Sequence, residues 1–201
     1  MNAISNILYW ISTGLLVPVI VLLILFFIRA ILLIGAFFGQ YLGEKRISSN
    51  YFNKIRLLSP DTLQEFSQSL PAAADSPVTV CLKEIASAAG CESKIDLLLA
   101  EYEIEADRGI ATSKVLTKMG PILGLMGTLI PMGPALVGLA SGDIASMAYN
   151  MQVAFATTVV GLVISAIGFI TQQSRERWAV SNLTMLEYFA DIVKQSARPT
   201  I

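Results

Sequence analysis

Residues 119–140 and 144–171 form two apolar stretches, and only Ala140-Ser141-Gly142-Asp143 marks the turn between them. At about 1.5 Å of helix per residue, each can cross a hydrocarbon layer of ~30 Å. The short turn returns the second stretch antiparallel to the first. Both are rich in Gly, Ala, Ser, Thr and Pro, residues that face other helices or water rather than lipid. Ala154, Thr158, Gly161, Ser165 and Gly168 recur at alternating spacings of four and three, which draws one small-residue stripe down a helix face. Gly120, Gly124, Gly127, Pro131, Pro134 and Gly138 repeat the rhythm in the first stretch.

Composition agrees with a membrane chain, at 54% hydrophobic and only 14% charged residues over 201 positions. A third apolar run, 14–39, is broken only by Arg29 and preceded by the aromatic pair Tyr9-Trp10. It is too long for a signal peptide and lacks a small-residue cleavage pattern. Nine Lys and Arg lie from Lys45 to Lys118, four from Arg175 to Arg198, and none before Arg29 or in the 140–143 turn. The positive-inside rule therefore puts the N-terminus and the turn outside, and the middle segment and C-terminal tail in the cytoplasm. If the embedded part begins near Ile7, about 20 residues bring Arg29 to the inner boundary, where its long stem can snorkel. A net charge of −1 suggests no nucleic-acid partner.

The expected fold is all-α and integral to the bilayer: three transmembrane helices extended into a cytoplasmic helical bundle. The expected segments are 1–43 (external N-terminus and first span), 44–114 (cytoplasmic helices), 115–172 (the second and third spans) and 173–201 (a cytoplasmic C-terminal helix). Ser59-Pro60 and Ser76-Pro77 read as helix starts, and Leu70-Pro71 as further punctuation. Ile85, Ala89, Ile95, Leu98, Leu99 and Tyr102 give an approximate helical stripe, and Trp178, Met185, Leu186, Phe189, Ile192 and Val193 mark a second amphipathic helix that could pack beside it.

Catalytic patterns are missing: there is no His, no phosphate-binding glycine motif with a Lys, and no Ser or Cys with a plausible base nearby. An enzyme is not expected, nor a cofactor or metal. Cys81 and Cys91 match no zinc spacing and read as ordinary reduced thiols.

The hairpin carries a more specific pattern. Gly120-Pro121-Ile122-Leu123-Gly124-Leu125-Met126-Gly127-Thr128 and Met151-Gln152-Val153-Ala154-Phe155-Ala156-Thr157-Thr158-Val159-Val160-Gly161 together resemble the paired motifs of the MotA/TolQ/ExbB proton-channel family. The short length, three spans and external N-terminus are similar to the TolQ/ExbB branch, whereas the wording of the third span leans toward MotA. The resemblance implies a homopentamer whose second and third helices line a central pore. It also implies a single-span partner similar to ExbD, TolR or MotB, whose transmembrane aspartate carries the proton. Val153 stands where the ExbB-like branch usually has glutamate, and Pro131 where the family usually has glycine.

The residues suit that arrangement. Between Met119 and Thr171 the only acid is Asp143, in the turn, so a titrating group at membrane depth must come from a partner. Hydroxyls can meet a carboxyl group in a low-dielectric interior without adding a fixed charge. Thr128, Thr157, Thr158, Asn150 and Ser165 are the expected pathway residues, and Gly120, Pro121, Gly124, Gly127, Ala154, Gly161 and Gly168 the expected packing residues. The alternative reading is a non-conducting oligomeric scaffold; a secondary transporter is weaker, with no inverted repeat or intramembrane charge pair.

Overall fold

The computed structural model describes residues 2–58 and 76–197. Every regular element among them is an α-helix: α1 (Asn2–Gly14), α2 (Leu16–Arg56), α3 (Pro77–Ser87), α4 (Glu92–Ala140) and α5 (Ile144–Ala197). Three helical stretches are long and apolar enough to cross a membrane, Ile7–Tyr41, Glu92–Ala140 and Ile144–Ser196. The expected helix start at Ser59-Pro60 and the punctuation at Leu70-Pro71 lie outside the described residues.

The chain divides into two compact units, Met1–Phe37 with Thr112–Gln173, and Phe38–Ala111 with Ser174–Ile201. The first contains the hairpin. Its turn is closed by a C-terminal cap in which Asp143 N–H donates to Gly138 O at 2.8 Å and Gly142 N–H to Leu139 O at 3.2 Å. Gly142 takes φ +77°, a conformation that a side chain would strain. Asp143 then caps α5, accepting from Ser146 N–H at 3.0 Å.

The break between α1 and α2 at Leu15 has a cause three residues later. Pro18 has no N–H for the Gly14 carbonyl and its ring crowds that group; the chain turns at Leu15 and resumes as helix. Along α2, Val19, Leu23, Ala30 and Leu33 form the buried line, packed with Leu116, Leu123 and Ile164. Arg29 lies on the exposed side of α2.

In the second unit Ser76-Pro77 does start a helix. Ser76 Oγ accepts from Val78 N–H at 3.4 Å, Thr79 Oγ1 accepts from Ser76 N–H at 3.3 Å, and Pro77 fills the first turn where no donor is needed. The two apolar stripes of the sequence meet in one cluster: Ile85, Ile95 and Leu98 are buried with Met185, Leu186, Phe189 and Val193, together with Ile55 and Leu82. Lys194 Nζ also donates to Asp96 Oδ1 at 2.7 Å; Asp96 is 65% exposed, so the pair is worth at most about 1 kcal/mol.

The two thiols differ. Cys81 is buried, its S–H directed at Leu98 O at 3.9 Å, and burial, with Glu84 and Glu101 adding to it, pushes the thiol up to about 11. Cys91 is exposed. Near pH 8, Cys81 is then thiolate in only about one molecule in a thousand. In solubilised protein a maleimide should modify Cys91 and spare Cys81, read by peptide mass; equal labelling would mean that α4 and α5 do not cover Cys81.

Candidate functional site

The hairpin seam is built by glycines. A Cβ on Gly161 would stand 2.6 Å from Gly120 O and 2.8 Å from Gly124 Cα, and one on Gly168 2.6 Å from Thr117 N. At Gly127 it would meet Thr157 Oγ1 at 2.5 Å. At Gly161 and Gly168 backbone meets backbone, and at Gly127 backbone meets the Thr157 side chain, so glycine is what lets the helices come this close. The buried line on α5 runs through Ala154, Thr157, Gly161, Ile164, Gly168 and Thr171 at spacings of three and four. The small residues Gly120, Gly124, Gly127, Gly161 and Gly168 thus pack within one chain, α4 on α5.

The two edges of the seam are unlike. One is covered by α2, whose cluster takes in Leu116, Leu123 and Ile130 from α4 and Val160, Ile164 and Ile167 from α5. The other carries hydroxyls. Thr128 follows seam residue Gly127, Thr158 follows Thr157 and Ser165 follows Ile164. Each step rotates about 100° around its helix, and because α4 and α5 run antiparallel both rotations lead to the same side, away from α2. Thr128, Thr158 and Ser165 are half-buried there, whereas Thr157 lies buried in the seam.

The polar side chains are anchored to backbone. Thr128 Oγ1 donates to Leu125 O at 2.7 Å, Thr158 Oγ1 to Ala154 O at 3.0 Å, and Thr157 Oγ1 to Ala154 O at 2.9 Å. Asn150 Nδ2 donates to Ser146 O at 2.9 Å. Ser165 reaches across: its Oγ donates to Thr117 O at 3.0 Å. That carbonyl is the one Pro121 deprives of its helical donor, four residues on. The Ser165 hydroxyl supplies the missing bond, and α4 continues through Pro121 without a break.

One buried pair was not picked out from the sequence. Thr171 Oγ1 and Ser113 Oγ share a hydrogen bond of 3.2 Å, with both residues buried. Its signal was present: Thr171 continues the seam three residues after Gly168, and Ser113 stands seven before Gly120. Among the described residues, no group of His, Cys, Asp or Glu could hold a metal ion.

A family model described as the MotA/TolQ/ExbB proton channel family matches residues 72–187, more than half of the chain. The match includes α3, all of α4 and most of α5, so the seam and its hydroxyl edge both lie within it. No curated protein and no solved structure gives a significant match.

Proposed function

The chain belongs to the MotA/TolQ/ExbB proton channel family, and from that premise we propose that it is the channel subunit of a complex that converts an ion gradient into motion of a single-span partner. Membership and the three apolar helices make it a multi-pass membrane protein with a channel or stator type of role. The observation that carries the finer reading is the edge of the hairpin bearing Thr128 and Thr158. It is half-buried, holds hydroxyls, and is left open by the chain's own α2. A partner helix with a protonatable aspartate fits such an edge, because hydroxyls offer hydrogen bonds without a competing fixed charge.

In this reading five copies surround the partner, with exposed apolar residues such as Leu125, Leu129, Phe155 and Leu162 meeting lipid, partner or neighbouring copies. Native mass measurement in mild detergent should give a homo-oligomer, most simply a pentamer. A species that stays monomeric across several gentle detergents counts against a pore. For orientation, Cys91 should resist impermeant thiol reagents on intact cells while Ser141→Cys is labelled; the reverse pattern inverts the topology.

The mechanism is tested at the hydroxyls. Thr158→Val and Thr128→Val keep the side-chain shape and remove one hydrogen bond each, worth about 1.4 kcal/mol or tenfold when made only during transfer. Partner-dependent proton flux in proteoliposomes should fall by roughly that factor for either variant, and the Ser versions should retain most of it. Flux equal to the parent in intact Val assemblies would show that these hydroxyls take no part in transfer, and an absence of partner-dependent flux in the parent itself would leave the scaffold reading standing.

A further inference from the structure

The second unit carries an open cavity of about 540 Å³, bordered by α2 at Gln40, by α4 at Tyr102 and Gly109, and by α5 at Arg175, Trp178 and Asn182. This is the size of a ligand site. Arg175 is its informative residue. Nη1 donates to Gly109 O at 2.8 Å and Nη2 to Gln40 Oε1 at 2.7 Å, both neutral acceptors. Its Nε is buried and has no hydrogen-bond partner. Among the described residues no carboxylate forms an ion pair with it, and burial works against its charge.

A dry guanidinium N–H with no acceptor is costly, and an anionic oxygen removes the cost. The other charged residue lining the cavity, Glu105, is 67% exposed and faces Arg108 at 3.8 Å, so water and that neighbour screen it. The position along α5 narrows the anion further. Arg175 follows the last residue of the apolar stretch 144–171 by four positions, about 6 Å of helix. Tyr41 and Trp178, whose rings lie 5.8 Å apart, belong to the residue types that mark the headgroup layer.

We propose that this cavity binds a phosphate-bearing group, supplied by a phospholipid headgroup, with the Arg175 guanidinium as its anchor and Gly109 leaving room for it. Gly109 is suited to that role, since a Cβ built on it meets nothing within 4 Å.

The test uses the full chain in mild detergent, carrying Trp10→Phe so that Trp178 is the one fluorophore of its kind. Titration with dioleoyl phosphatidylglycerol should give a saturable change in Trp178 emission, at least tenfold tighter than with dioleoylglycerol, which has the same tails and no phosphate. Arg175→Gln should weaken phosphatidylglycerol at least fivefold. Gly109→Leu, which keeps the charge and fills the space, should do the same, and it carries the test if Arg175→Gln does not fold. Inorganic phosphate competing with the same dependence on Arg175 would support the phosphate site and assign it to a soluble ligand. Equal binding of the two lipids, or parental affinity in both folded variants, would overturn the proposal.

Discussion

Gly161→Leu should leave the chain unable to close its hairpin. The atoms that a Cβ would meet are Gly120 O at 2.6 Å and Gly124 Cα at 2.8 Å, both backbone, so no rotamer change can make room. Overpacking usually costs about 1–3 kcal/mol where side chains can give way. Here two helix backbones must separate along the seam, and a loss above about 3 kcal/mol is expected. Thermal unfolding in detergent, followed by helical circular dichroism, measures it. Gly35→Leu is the control, because a Cβ on Gly35 meets nothing within 4 Å. If both variants melt with the parent, α4 and α5 do not approach through Gly161.

Ser165→Ala should cost about 1–3 kcal/mol, for it leaves the Thr117 carbonyl without a donor in an apolar setting. The informative measurement is the double mutant with Pro121→Ala. An alanine in place of Pro121 restores a backbone N–H four residues from Thr117, so the carbonyl regains its helical bond and the serine hydroxyl becomes dispensable. Ser165→Ala in that background should cost under about 1 kcal/mol, giving a coupling energy of about 1 kcal/mol or more between positions 121 and 165. Additive effects would show that the serine and the proline act independently.

Much of this was legible in the residues because the governing rules are local. Ser76-Pro77 reads as a helix start since a hydroxyl and a missing N–H satisfy the first turn whatever surrounds it. The hairpin follows from two long apolar stretches and a turn too short for anything else. Which side of each helix meets what is not local. Gly161 and Thr158 both fall on the small-residue stripe, yet one contacts α4 backbone and the other sits half-buried at the margin. That distinction depends on where α2 lies, through Val19, Leu23 and Ala30, and no spacing within α5 encodes it. Ser165 is a similar case: only the approach of α4 to within 3.0 Å shows that its hydroxyl answers Pro121. Cavity and guanidinium depend likewise on three helices far apart in the chain.

The bonds that anchor Thr128 and Thr158 also give the open edge a chemical preference. Each hydroxyl has already committed its hydrogen to a carbonyl of its own helix, Leu125 O in one case and Ala154 O in the other. What remains facing outward is lone pairs, which can receive a hydrogen but have none to offer. A carboxylic acid arriving there brings a hydrogen and is welcomed; a carboxylate brings only lone pairs of its own and meets repulsion. In the function proposed above, an edge held in this arrangement would distinguish a loaded carrier from an empty one without possessing a single ionisable atom.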